Sequence, residues 1–233
     1  ALWLAADGLP PVKLLVIFGL GTLFMRSAGC AINDLADRNL DGGVARTRER
    51  PLVTGAVAPN EALVIAAVLA LAAFVLVLFT NTLTILLSFG GVALAACYPF
   101  MKRHTHLPQV VLGAAFSWGI PMAFAAVLDT LPTILWLVFV ANLLWTVAYD
   151  TEYAMVDRED DLAMGIKSTA ILFGELDRHI VAALQVLTIV ALLLVGQRFE
   201  LSWVYFASLL VPAGLFVYQQ RLMRTREPAG CFK

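Results

Sequence analysis

Two clusters of acids interrupt an otherwise apolar chain. The first reads Asn33-Asp34-Leu35-Ala36-Asp37-Arg38-Asn39-Leu40-Asp41, and the second runs from Asp150 through Glu152 and Asp157 to Asp160 and Asp161. Spacings of three, four and seven bring side chains onto one helical face. On that pattern Asn33, Asp37 and Asp41 form one row, and Asp150, Asp157 and Asp161 form another. Like charges so spaced repel, so a bare helix gains nothing from them. A hard divalent cation reverses the sign, because Mg²⁺ takes oxygen ligands and shares them with phosphate groups. A donor set made only of oxygens points to Mg²⁺ rather than zinc or copper. Two such rows in one chain therefore read as a metal–diphosphate site. Positive side chains for the phosphates are at hand: Arg38, Arg46, Arg48 and Arg50 after the first row, Lys102 and Arg103 further on, and Lys167 beyond the second row. Tyr98 stands one helical turn before Lys102.

The elements that must position these groups are membrane helices. Of 233 residues, 61% are hydrophobic and 14% charged, with a mean hydropathy of +0.84. Soluble domains are nearer half apolar and a quarter charged. The apolar runs are long and continuous, which predicts an all-α, multi-pass transmembrane helical bundle rather than a barrel. Seven complete segments are predicted near 12–32, 60–79, 82–100, 108–128, 132–149, 179–197 and 201–219. The first acidic row is predicted to extend its helix beyond the hydrocarbon until Gly42-Gly43 breaks it. The stretch 168–178, with Glu175, Asp177 and Arg178, reads as interfacial. Ala1–Ala6 is too short to span and reads as the tail of a helix, so the chain is expected to be one transmembrane domain, residues 1–233, truncated at both ends.

Loop charge sets the expected orientation. The segments near 33–59, 101–107 and 150–178, plus the tail from Arg221, hold thirteen of the sixteen Lys and Arg. The positive-inside rule places these segments on the cytoplasmic side. Both acidic rows then fall on the same side and are expected to meet across one cavity. Arg26 lies within a span near its cytoplasmic end and reads as snorkelling. Cys30, Cys97 and Cys231 lack redox or metal spacing, and His104, His106 and His179 share no metal-ligand pattern. No glycine-rich nucleotide loop or nucleic-acid patch is present. Aromatic rings that could face a cation include Phe116, Trp118, Phe124, Trp145 and Tyr149, although packing is the weightier reading for each.

The stretches NDLADRNLDGGVARTRERPLVTG and YDTEYAMVDREDDLAMGIKSTAILFG resemble the two aspartate-rich signatures of the UbiA-type intramembrane prenyltransferases, most closely the 4-hydroxybenzoate polyprenyltransferases of ubiquinone synthesis. The resemblance covers essentially the whole chain and includes the Tyr98–Lys102 motif. It implies nine helices in a complete protein around a cavity that opens to lipid. It implies that Asn33, Asp37, Asp41, Asp157 and Asp161 hold Mg²⁺, with Asp37, Asp41, Asp157, Asp161 and Arg103 catalytic. Asn33, Asp34, Arg38, Tyr98, Lys102, Arg103 and Asp150 are implied to bind diphosphate. The implied reaction is Mg²⁺-dependent transfer of a polyprenyl group from polyprenyl diphosphate to a ring carbon of 4-hydroxybenzoate, at a bacterial inner membrane or its mitochondrial descendant, with the site on the cytoplasmic side. Relative to the family, an amino-terminal stretch bearing a basic residue near the acceptor site and a span after residue 233 are absent from this sequence.

Two other readings compete. Asp41-Gly42-Gly43-Val44-Ala45-Arg46 with Gly55 resembles the start of the CDP-alcohol phosphotransferase motif, but Pro59 stands where a decisive Asp is required. A divalent-cation transporter would use the same acids as a vestibule, yet transport sites tend to lie near the bilayer midplane on interrupted helices.

Overall fold

A computed structural model describes residues 1–43, 47–227 and 231 of the chain. Arg46, expected among the phosphate-facing cations, and Ala45 of the competing motif fall outside the described residues. Among the described residues every regular element is helical. Thirteen α-helices are present: α1 (Leu2–Ala6), α2 (Val12–Asp37), α3 (Pro51–Thr54), α4 (Pro59–Val77), α5 (Thr82–His104), α6 (Pro108–Ser117), α7 (Gly119–Leu128), α8 (Leu135–Val156), α9 (Arg158–Ala163), α10 (Thr169–Phe173), α11 (Asp177–Arg198), α12 (Trp203–Ser208) and α13 (Leu210–Leu222). Short 3₁₀ turns occupy Asp41–Gly43, Gly174–Leu176 and Met223–Thr225.

Proline chemistry explains where two predicted spans are divided. The segment expected at 108–128 is α6 followed by α7, parted at Trp118. Pro121 lacks an N–H and its ring crowds the carbonyl four residues back, at Ser117, where α6 ends. Pro212 stands in the same relation to Ser208, where α12 ends and the segment expected at 201–219 divides. The segment expected at 132–149 continues as α8 to Val156, carrying Asp150 and Glu152 on its last turns.

Among the described residues, five stretches are long and apolar enough to cross a membrane: Val12–Asp37, Pro59–Val77, Thr82–His104, Pro108–Leu128 and Thr169–Arg198. α2, with 26 residues, is about 39 Å long at 1.5 Å per residue, more than a hydrocarbon core of about 30 Å. Large apolar side chains lie exposed along these helices, as Leu63, Val64, Val68 and Leu71 do on α4. In water this would be a liability; in lipid it is the natural outer surface. The chain is a membrane protein.

The fold divides into two compact units, Ala1–Phe100 with Trp118–Pro132, and Met101–Ser117 with Thr133–Lys233. In the first, α2 packs along α4 and α1 against α7, where Leu2, Leu14 and Ala123 form a buried core. Glu61 accepts from the Ala58 N–H at 2.8 Å, and with Pro59 opening the helix it fixes the start of α4. The Trp118 indole donates to the Leu87 carbonyl at 2.7 Å and packs against Gly90 and Gly91. In the second unit, α8 is the central helix, packed by α6 and α11 and touched by α10. Buried threonines tie it down: Thr151 Oγ1 and Thr169 Oγ1 are 2.7 Å apart, and the Thr169 N–H donates to Gln109 Oε1 at 3.1 Å.

A methyl group at Gly90 would meet the Trp118 ring at 2.7 Å, and the ring is pinned by its hydrogen bond. Gly90→Ala is expected to destabilise the first unit by about 1–3 kcal/mol, the usual cost of overpacking. Thermal unfolding of the purified protein in detergent measures it; an unchanged midpoint would show that the indole gives way.

Candidate functional site

The first acidic row departs from the sequence expectation. α2 stops at Asp37 rather than running on to Gly42-Gly43, so Asp41 does not share a helical face with Asn33 and Asp37. Two tight turns follow the helix end, the Leu40 N–H donating to the Asp37 carbonyl at 2.7 Å and the Gly43 N–H to Leu40 at 3.0 Å. Arg38 does not reach outward: its Nη1 donates at 2.8 Å to the Leu35 carbonyl, one of those left without an intrahelical partner at the helix end. The turn folds Asp41 back. Arg50 Nη1 sits 2.7 Å from Asp34 Oδ1 and 2.9 Å from Asp41 Oδ2, so one guanidinium serves both carboxylates. Thr47 Oγ1 donates to the Asp41 carbonyl at 3.0 Å. Asp37 and Asp41 are buried, at 2% and 5% exposure, while Asn33 and Asp34 are half-buried.

The second row is also divided. Asp150 lies on α8, Asp157 occupies the joint after Val156 with φ −85° and ψ 3°, and Asp161 lies on α9. The expected single face is therefore bent at Asp157. α9 ends at a left-handed residue, Gly165 with φ +67°, a conformation that favours glycine because it lacks a Cβ. The Ile166 N–H then reaches back to the Asp161 carbonyl at 2.9 Å, closing the helix as Schellman geometry does. The next N–H, of Lys167, donates to the Lys102 carbonyl at 2.9 Å, and Lys167 Nζ donates to the His104 carbonyl at 3.3 Å. The end of α5 is thus docked on the stretch of chain that follows the second row. Tyr98 lies one turn earlier on α5 and is half-buried, as is Lys102; Arg103 is exposed.

The aromatic candidates separate by role. Phe124 is core, 1% exposed, and Trp118 is spent on Gly90 and Gly91. Trp145 and Tyr149 belong to an edge-on ladder along α8, with ring centres 5.7 Å apart, continued by Tyr153 at 6.4 Å. Phe116 is exposed on α6.

Three features escaped sequence reading. Arg50 was expected to face phosphate and instead bridges Asp34 and Asp41. Asp177, expected at the interface, is fully buried and gathers Arg158 and Arg226. Its hydrogen bond, more than its charge, pushes the Arg226 guanidinium pKa up. Glu152 is buried and accepts from Gln185 Nε2 at 3.2 Å, which also reaches Gln219. A rule that buried charges are paired flags the arginines nearest such acids, though not which acid each one chooses.

Among the described residues no three His, Cys, Asp or Glu form a ready-made metal cage. Mg²⁺ does not need one, since it is commonly held by one or two carboxylates plus substrate phosphates and waters. The donors present, buried and half-buried carboxylates on two short rows, suit that mode.

Apolar spans with carboxylates and arginines collected at helix ends define a polytopic helical membrane enzyme. The chain belongs to the UbiA prenyltransferase family, whose profile matches residues 1–233. It is 63% identical over 232 residues to the 4-hydroxybenzoate octaprenyltransferase of Ectopseudomonas mendocina (strain ymp), covering 100% of this chain and 78% of that one. The apo structure of a UbiA homolog from Aeropyrum pernix K1 superposes with a TM-score of 0.87 at 26% identity, covering 98% of this chain and 87% of that one. The structure of a UbiA homolog from Archaeoglobus fulgidus bound to GPP and Mg²⁺ shares the fold, with a TM-score of 0.70 at 18% identity over 94% of this chain and 78% of that one.

Arg50→Gln is expected to destabilise the first unit by about 1–3 kcal/mol, because two partly buried carboxylates lose a charge-assisted partner. Arg50→Lys should recover part of this, since a single nitrogen, Nη1, meets both acids and an ammonium likewise offers several donors from one nitrogen. Unfolding midpoints of the two variants check the order.

Proposed function

We propose that this chain transfers a polyprenyl group from polyprenyl diphosphate to a ring carbon of 4-hydroxybenzoate, in a Mg²⁺-dependent reaction of ubiquinone synthesis. The single observation that carries the reading is the identity of 63% to a 4-hydroxybenzoate octaprenyltransferase over 232 residues, 100% of this chain. Asn33, Asp37 and Asp41, with Asp157 and Asp161, are assigned to Mg²⁺. Asp34 and Asp150 assist them. Tyr98, Lys102 and Arg103 are assigned to the diphosphate, and Arg38 is available to it once released from Leu35. The membrane is a bacterial inner membrane, with this end of the helices cytoplasmic, and residues 1–233 belong to one prenyltransferase domain.

Breaking the allylic C–O bond leaves several negative charges on the departing diphosphate. Bound Mg²⁺ would neutralise that charge as it develops. Lys102 and Arg103 supply fixed positive charge to the same oxygens, and Tyr98 supplies a hydroxyl donor; such preorganised groups commonly contribute a few kcal/mol each. The allylic cation must then meet the acceptor ring before water. Apolar helix walls exclude water, and the Trp145–Tyr149–Tyr153 ladder offers ring faces that stabilise a cation. The acceptor carbon ortho to the hydroxyl forms the new C–C bond, and the ring proton leaves to a row carboxylate or to the released diphosphate. Family membership sets aside the CDP-alcohol phosphotransferase and cation-transporter readings.

Membranes containing the protein, given 4-hydroxybenzoate and a prenyl diphosphate, should form C-prenylated product with Mg²⁺ and none with EDTA. Asp37→Asn or Asp157→Asn should lower turnover by about a hundredfold or more, the scale expected when one member of an electrostatic site is removed, while membrane insertion is kept. Full turnover in either variant would contradict the assignment.

A further inference from the structure

We propose that Asp177 is a positioning residue for the second acidic row: by holding the Arg158 guanidinium it fixes the joint that carries Asp157 and Asp161 and keeps that cation off their carboxylates. The proposal rests on the reading of this row as a Mg²⁺–diphosphate holder.

Arg158 is the one cation between residues 150 and 166, and it directly follows Asp157 in a stretch that also holds Glu159, Asp160 and Asp161. An arginine so placed has nearby acids to pair with, and Arg50 shows the result in the first row, where one guanidinium lies on Asp34 and Asp41. Arg158 is drawn elsewhere. Its Nη2 donates to the Gly174 carbonyl at 2.9 Å and to the carboxylate of Asp177, nineteen residues along the chain. Asp177 is fully buried and held from three sides. The Arg178 N–H donates to Oδ1 at 2.6 Å, Arg226 Nε to Oδ2 at 3.1 Å and Arg226 Nη2 to Oδ1 at 3.0 Å. Arg226 Nη2 also lies 3.1 Å from Glu175 Oε2.

The consequence is electrostatic as well as geometric. With Asp177 charged, Arg158 anchors the start of α9 to the turn before α11. With that charge removed, Arg158 keeps its positive charge but is left with the Gly174 carbonyl and the exposed Glu175 carboxylate, 3.9 Å from its Nη1, and the acids beside it in sequence compete for it. A released guanidinium there competes directly with a metal ion. A purely scaffolding role for Asp177 makes a different prediction, because removing Arg158 as well would then only add to the damage.

The test uses the full-length protein in nanodiscs and four variants: Asp157→Asn, Asp177→Asn, Arg158→Gln with Asp177→Asn, and Arg226→Gln. Binding of Mn²⁺ with inorganic pyrophosphate is followed by electron paramagnetic resonance, and hydrogen exchange of residues 157–166 is followed without metal. Asp177→Asn is expected to weaken Mn²⁺ binding by about tenfold, the lower end of what partners of ligands contribute. It should raise the Mg²⁺ needed for half-maximal turnover by a similar factor while kcat at saturating Mg²⁺ is kept. Adding Arg158→Gln should restore binding to within about threefold of the parent, a non-additivity expected of residues in contact. Arg226→Gln, which leaves Arg158 on Asp177, should bind as the parent does and fold even if Asp177→Asn does not. A double variant no better than Asp177→Asn, or an Arg226→Gln that loses binding equally, would overturn the positioning role. Parent-like Mn²⁺ binding in Asp157→Asn would instead overturn the underlying assignment of the row.

Discussion

A carboxylate taken out of water must be given a partner, and much of this structure follows from that constraint. Isolated burial of an ionised carboxylate is prohibitive, and buried acids persist only when paired or ligating. Asp41 and Asp177 are buried charges in a chain with few charges to spend, and each is met by arginine. Arg50 closes the turn after α2 by joining Asp41 to Asp34, and Arg158 and Arg226 close the start of α11 on Asp177. Stranding a fully buried carboxylate such as Asp177 commonly costs about 3–5 kcal/mol, and less where, as at Arg50, the pair is partly exposed. The arginines therefore decide where the chain turns as much as the apolar spans decide where it runs straight.

The same constraint separates scaffold from site. Arginines that pair with acids are no longer available to a ligand, and acids that pair with arginines are weaker metal donors. The first row is partly neutralised by its own Arg50. Arg158, the cation nearest the second row in sequence, is drawn to Asp177. Around this, polar groups between helices are matched with little left over: Thr151 with Thr169, Asn142 with Ser117, and Gln185 with both Glu152 and Gln219. These hold α8, the helix that leads into the second row, against α6, α10, α11 and α13 without requiring a hydrophobic contrast that lipid does not provide.

Helices were legible in the sequence because bilayer thickness imposes a length on apolar runs, and α2, α4, α5 and α11 lie close to the predicted segments. The breaks at Trp118 and Leu209 were carried by Pro121 and Pro212, residues present in the sequence but compatible with unbroken membrane helices in general, so their effect was not fixed by identity alone. The acidic residues were found by spacing, yet spacing assumes a continuous helix. That assumption failed at Asp41 and at Asp157, where local turns and arginine pairing outweigh helical propagation. Long-range partners such as Asp177 for Arg158 have no sequence period at all. Only the fold brings them together.

The central proposal is that both acidic rows act on one metal–diphosphate unit. A double-mutant cycle with Asp37→Asn and Asp157→Asn, read by calorimetric binding of an unreactive prenyl thiodiphosphate in Mg²⁺, tests it most directly. If the rows share the ligand, the double variant binds scarcely worse than the weaker single variant, because either loss already dismantles the site. Losses that multiply, as for two independent sites, would contradict the account.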